Sequence, residues 1–523
     1  MRRALRGLVI LLAAGAVACN GTQPLGGDDP GSGGEAGIGG KADGYGEWSG
    51  SRSMNAWNDS ENQRFSEWIA KLGTARAAGK CLSLASCISS SSANSLWTGE
   101  DSGFEVFADC ADLPYVLRAY YSYKRRLPFS FVSAISGGQY TSGNLPESHS
   151  SWLDYENLPD LLRAIVNQVH SGFYRTAPEV EDNDFYPVAI TRQTVKPGTV
   201  YYDPNGHVLL VYAVEDDGTV RMIDGHPDNS LTVQRFGEEF ARGNAGQGGG
   251  FRAWRHQSYS SGQVVRASNS DGQRNPGFSV EQYERSSASF HDWVRSRLSL
   301  TGQRDVVRDY REIIKSLCNS IRNRQDAVNK AIAANVSRKD HPAALPDNIY
   351  GTTGEWETYS TPSRDARLKA AVRELHRFVS DSYTAVRDGD STRYSYDGSS
   401  DELAQYFRDT WDELSTGECR ITYRTSSSRD VALTLDDFVT RLFDLSFDPY
   451  HCPELRWGAH PDKLPGELAS CPDGPDKIKW YRDEYRLRNR IDRDYDSITT
   501  LDFGPEQHED IDVPKLLRNL ESI

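Results

Sequence analysis

Methionine is scarce in this chain of 523 residues, with three, and after the first twenty residues no stretch is apolar enough to span a bilayer. A membrane helix needs roughly 20 consecutive apolar residues, so none is expected beyond that point. Positive charge is also short: 59 Lys and Arg stand against 74 Asp and Glu, a formal net charge of −15. With acidic groups spread along the chain, nucleic acid and anionic lipid headgroups are poor candidates for the main partner. There is no fixed-period repeat and no heptad array. Gly246 to Gly250 is glycine-rich, but no Gly-Lys-Ser/Thr follows, so it reads as a loop and not a phosphate cradle. Neither His-Glu-x-x-His nor Cys-x-x-Cys spacing occurs, and no metal site and no cofactor are expected.

The chain is rich in aromatics, with 11 Trp and 26 Tyr, which suggests well-packed globules. It opens on Met1-Arg2-Arg3-Ala4-Leu5-Arg6, followed by a short apolar run to Ala18 and then Cys19. A basic start, a short apolar core and small residues before the break describe a secretory signal peptide. Ala16-Val17-Ala18-Cys19 resembles the lipobox of bacterial lipoproteins, which implies acylation of Cys19 and a lipid anchor in the cell envelope, at the outer membrane or cell surface. The competing reading is ordinary cleavage after Ala18. Residues 20–45 are dense in Gly, Asp, Pro and Ser and cannot bury enough surface to offset chain entropy, so they read as a flexible tether.

Seven cysteines remain once Cys19 is set aside for lipid, and an exported protein favours pairing. Proximity suggests Cys81 with Cys87 and Cys452 with Cys471, with Cys318 and Cys419 as a long-range pair. That leaves Cys110 as an odd thiol, either buried and inert or reactive; pairing with Cys81 or Cys87 is the other possibility.

Residues 46–258 mix helix and strand signals. Val208 to Val214 and Val220 to Ile223 read as strands joined by an Asp216-Asp217-Gly218 turn. The polar segment 259–277 reads as a linker. Residues 278–523 turn helical: Val306, Tyr310, Ile313, Ile314, Leu317 and Ile321 form one stripe, Thr361-Pro362 opens a second helix, and Leu403 to Leu414 gives a third. The expected architecture is an α+β domain followed by a mostly α-helical one closed by disulfides.

The chemistry centres on two segments. Leu113, Val116, Leu117 and Tyr120 make a helical stripe, and Pro114 fits only near a first turn. Cys110 therefore sits at a helix N-terminus, where free N–H groups favour thiolate and can hold an oxyanion. Asp109 and Asp112 flank it and raise its pKa unless they cap the helix. In the second segment, Gly206 leads into His207 at a strand start, and the return strand ends Met222-Ile223-Asp224-Gly225-His226. A hairpin with that turn sets Asp224 diagonally near His207, giving nucleophile, base and orienter in the order Cys110, His207, Asp224.

Cysteine at a helix N-terminus, then histidine opening a strand and an acid ending the next, resembles the papain-like superfamily. Pro197-Gly198-Thr199-Val200 before Gly206-His207-Val208 is similar to the NlpC/P60 peptidases, and the closing Asp to transglutaminase-like proteins. The resemblance covers roughly residues 97–255. It implies a papain-like domain doing thiol-dependent acyl chemistry on amides, by hydrolysis or by transfer. The partner it implies is a peptide or peptidoglycan stem peptide, and Asn94 is the candidate oxyanion donor by position. His226 is an alternative working histidine. Asp203, His207, Asp224, His226 and Asp228 also permit a metal hydrolase, and Arg252 and Trp254 read as closing-strand and rim residues. The rival from another class is a catalytically inactive envelope protein, in which the same fold binds peptide or cell wall and the helical half docks a partner.

Overall fold

The structure is a computed structural model that describes Tyr45 and residues 55–523, apart from 106–107, 227–228, 286–289, 351–353 and 493–502. The expected signal peptide, lipidated Cys19 and tether, along with Asp228, lie outside the described residues. The fold is mixed α and β, built on an antiparallel sheet. Its strands are β1 (Phe185–Pro187), β2 (Val200–Asp203), β3 (His207–Val214), β4 (Val220–Gly225), β5 (Leu231–Arg235) and β6 (Gly250–Trp254), in spatial order β1-β6-β2-β3-β4-β5. The β3–β4 turn forms where Asp216-Asp217-Gly218 places it, with Gly218 N–H donating to the Glu215 carbonyl.

Period-two alternation gives the sheet two covered faces. Val200, Tyr202, Val208, Leu210, Tyr212 and Ile223 point into one core, which also holds apolar residues of α1 (Asp59–Ala77), α2 (Asp112–Arg125) and α3 (Leu158–Gln168). Tyr201, Leu209, Val211, Val220 and Met222 point the other way, into a second core with Phe236, Phe240 and Phe251. The 259–277 segment differs from its reading as a plain linker: Gln257–Ser260 and Gln263–Arg266 pair as a hairpin. The next helix, α4 (Phe290–Leu298), puts Phe290, Val294 and Leu298 into the second core of the sheet. Apolar residues four apart in a polar stretch were enough to draw it back onto the sheet.

The expected helices form as α5 (Val306–Ala333), α6 (Pro362–Arg387) and α7 (Ser400–Thr416). Proline opens α6, and Ser399 and Glu402 close a capping box on α7. They share a third core that includes Tyr310, Leu317, Leu375, Phe378, Phe407 and Trp411. Polar joints tie this half to the sheet, these two among them. Arg235 on β5 meets Glu374 on α6 at 2.8 Å, and Asp217 in the β3–β4 turn is held by Arg295 and Arg308. The three expected disulfides are present: Cys81–Cys87, Cys318–Cys419 and Cys452–Cys471. No helix among the described residues is long and apolar enough to cross a membrane.

Candidate functional site

The β2–β3 turn runs through Pro204, Asn205 and Gly206. Gly206 has φ +93°, a conformation costly for residues with a side chain, and it delivers His207 as the first residue of β3. Leu210 pairs with Ile223, so continuing the register sets Asp224 diagonal to His207, as the hairpin reading requires. Their side chains meet: His207 Nε2–H donates to Asp224 Oδ2 at 2.9 Å. The proton lies on Nε2 because a carboxylate can only accept, which leaves Nδ1 as the lone-pair nitrogen.

Asp224 is fully buried and well supplied with donors. Thr232, directly opposite on β5, donates its hydroxyl to Oδ1, and His226 Nε2 lies 3.3 Å from Oδ2. Burial alone would raise this carboxyl, but the His226 charge and the bonds from both histidines hold it far below the usual carboxylate range. Burial lowers His207 below its ordinary value, against the opposing pull of Asp224, so the imidazole is neutral near pH 7. Thr232 was missed from sequence. Its only signal is the period-two position facing Asp224 across the next strand.

Cys110 requires a correction. Its sulfur is disulfide-bonded, so it is not the odd thiol. The odd count depended on reserving Cys19 for lipid, and without that reservation the eight cysteines are even. Alternation adds a second obstacle. His207 shares its face with Leu209 and Val211, and its ring lies parallel to Phe240 (centroids 6.5 Å apart, 13°), all on the second core. Asp224 shares its face with Met222. Helix α2, which begins two residues after Cys110, packs on the opposite face. The two sides meet at the end of β4, where a Cβ on Gly225 would stand 2.7 Å from the Ala108 carbonyl oxygen and 2.9 Å from that of Asp109. The structure therefore brings His207 and Asp224 together, but sets the helix that follows Cys110 on the far side of the sheet.

The oxyanion expectations also change. Asp109 Oδ1 accepts from the Ala111 and Asp112 N–H groups at 2.8 and 3.1 Å, so the aspartate caps the helix and occupies the amides expected to hold an oxyanion. Burial pushes Asp109 up to about 7, and burial together with the Asp109 charge raises Asp112 well above its ordinary value. Asn94 is a buried knot and not an oxyanion donor. Its Oδ1 accepts from Trp68 and Leu96, and its Nδ2 donates to the Ile88 carbonyl and the Tyr120 hydroxyl. Arg252 and Trp254 both lie on the closing strand β6; Arg252 is buried and braces the Tyr174 and Gly248 carbonyls, so it forms no rim, while Trp254 is half-buried and packs against Phe185. Asp203 turns Oδ1 to Asn205 N–H and Nδ2 in its own turn, and among the described residues it forms no metal-sized cluster with His207, Asp224 and His226.

A cleft of about 720 Å³ opens between the second face of the sheet and the helical half. Asn205, Phe240 and Arg242 line one wall, Arg373 and Arg377 of α6 a second, and Asp492, Glu509 and Ile511 a third. Phe240 belongs both to this wall and to the His207 stack. Arg373 pairs with Asp492 at 3.0 Å and with Glu509 at 3.6 Å, while Arg377 pairs with Glu238. Sequence alone could not show this cleft, because its walls come from segments more than a hundred residues apart. Compared with known proteins, the chain matches no family model, no curated protein and no solved structure.

Proposed function

We propose that the chain is an exported cell-envelope binding protein. Its N-terminal half is papain-like in the order of its elements but does not work as a thiol enzyme, and its cleft takes a short peptide of mixed charge such as a peptidoglycan stem peptide. The observation that carries this reading is the engagement of Cys110 in a disulfide, on a helix across the sheet from His207 and Asp224. A nucleophile must be a thiolate within reach of its base. The cleft volume falls in the usual range of about 300–1,000 Å³ for small-ligand sites. Its wall offers guanidinium and carboxylate groups, and the Asp492 and Glu509 partners of Arg373 are exposed enough to exchange with the termini of a bound peptide. Export follows from the Met1 to Ala18 segment. One sulfur cannot hold both a thioether lipid and a disulfide, so acylation of Cys19 and its use as a disulfide partner are mutually exclusive, and the mass of the N-terminal peptide distinguishes them.

The thiol-enzyme reading keeps one favourable observation, the neutral His207 oriented by Asp224. Calorimetric titration with synthetic stem peptides, with the recovered peptide checked by mass spectrometry before and after reduction of the protein, separates the two. The binding reading predicts a saturable site, intact peptide throughout, and affinity lost about tenfold or more in Arg373→Ala, the scale of a charge-assisted contact. Absence of binding contradicts it. Cleavage that begins on reduction and vanishes in His207→Ala establishes the enzyme instead.

A further inference from the structure

A second histidine–carboxylate cluster lies inside the helical half, and none of its residues lines the cleft. His341 follows the turn after α5, Asp448 precedes Cys452, and Glu484 links the helices Pro475–Asp483 and Tyr485–Arg488. All three side chains are buried, and one ligand-capable atom from each lies within 4.8 Å of the others.

The hydrogen bonds show what is missing. His341 Nδ1 faces the Pro342 carbonyl at 2.7 Å, and a carbonyl only accepts, so the proton sits on Nδ1. The other nitrogen, Nε2, lies 2.7 Å from Asp448 Oδ2. A backbone oxygen holding the far nitrogen of the ring is the arrangement that fixes metal-ligating histidines. Stacking on Trp480, with centroids 4.6 Å apart, fixes the ring plane.

Glu484 supplies the independent observation. Its side chain is wholly buried, neither carboxylate oxygen receives an N–H or hydroxyl donor, and it faces the Asp448 carboxylate and the His341 ring. The Arg488 guanidinium stays 3.9 Å away and donates to the Tyr481 carbonyl. His451 is already engaged: Nε2 donates to the Lys477 carbonyl, Nδ1 accepts from Ser446, and the ring stays 3.6 Å from Asp448. A buried carboxylate with no donor costs several kcal/mol. A cation among the three groups would remove that cost.

We propose that His341, Asp448 and Glu484 bind a divalent transition ion of the zinc type as a structural staple. One imidazole and two carboxylates are zinc ligands at about 2.0–2.2 Å, which keeps them within about 4.4 Å of one another. Calcium needs six to eight oxygens, and Asp448 Oδ1 is already taken by the Tyr450 N–H. The ion would join three loops beside the Cys452–Cys471 bridge.

The test uses the full exported chain. It measures bound metal by mass spectrometry, then removes it with chelator and returns zinc chloride while following the melting temperature. Glu484→Gln, nearly isosteric, is the site variant, and Asp224→Asn controls for the histidines on the sheet. One zinc per chain, a melting temperature that falls on chelation and recovers with zinc, affinity down at least tenfold in Glu484→Gln and unchanged in Asp224→Asn support the site. Wild-type protein that takes up no zinc and melts unchanged overturns it and leaves a proton shared between Asp448 and Glu484. Zinc binding lost in Asp224→Asn and kept in Glu484→Gln also overturns it, by placing the ion on the sheet.

Discussion

Two buried carboxylates, Asp224 in the sheet and Glu484 in the helical half, sit beside histidines and fare in opposite ways. Asp224 has a hydroxyl on one oxygen and two imidazoles on the other, and it stays ionised far below the usual range. Glu484 has no donor and faces a second carboxylate, and burial together with the Asp448 charge drives it well above the usual range. Burial is common to both, so the donors decide the sign. A carboxylate that is fully supplied makes a self-sufficient pair, whereas an unsupplied one calls for a cation.

The largest effect is expected at the supplied site. Asp224→Ala leaves His207 and Thr232 without their acceptor and should cost about 3–5 kcal/mol in urea unfolding at pH 7. Because the folded pKa is depressed, the stabilisation is present above the unfolded carboxylate value near 4 and is lost as pH falls below it. The gap between variant and wild type should therefore narrow in acid. A gap independent of pH would show that Asp224 contributes packing and not charge.

At the unsupplied site the sign itself should reverse. In chelator-treated protein Glu484→Gln removes a buried carboxyl that must take up a proton on folding, and should stabilise at neutral pH by about 1–3 kcal/mol. With zinc present the same change should destabilise. A change of one sign under both conditions breaks the contrast between the clusters.

Two smaller predictions sharpen it. Asn94→Ala should cost about 1–3 kcal/mol by stranding buried partners such as Trp68 and Tyr120, and should leave peptide affinity untouched, since Asn94 faces neither cleft nor histidine. Asp109, raised by burial to about 7, should make wild-type stability fall as pH rises from about 4 to about 7, because the native state binds the extra proton there. Asp109→Asn keeps an acceptor for the helix amides but removes the titrating group, and should flatten that slope, as read from urea midpoints across the range.

Much of this was legible from local pattern. The Asp-Asp-Gly turn marked the hairpin, while the diagonal contact of His207 with Asp224 also needs the one-residue register shift between Val211 and Ala213, which the turn does not encode. The stripe from Val306 to Ile321 marked α5, and proximity marked two of the disulfides. What failed depended on facts that lie between distant segments. Motif order placed Cys110 at a helix start but could not say which face of the sheet that helix covers. The lone-thiol reading followed from a cysteine count that assumed a use for Cys19. Asp109 occupying the helix amides, Phe240 against His207, and the meeting of His341 with Asp448 and Glu484 all depend on tertiary contact, which spacing does not encode.

Mass-mapped alkylation of the folded, unreduced protein with limiting iodoacetamide, repeated after mild reduction and in His207→Ala, tests the central claim most directly. The account predicts no labelling of Cys110 before reduction, its recovery in a disulfide-linked peptide, and after reduction a labelling rate that His207→Ala leaves unchanged. Fast labelling of Cys110 in the unreduced protein, slowed in His207→Ala, would contradict the account and return the chain to the thiol enzymes.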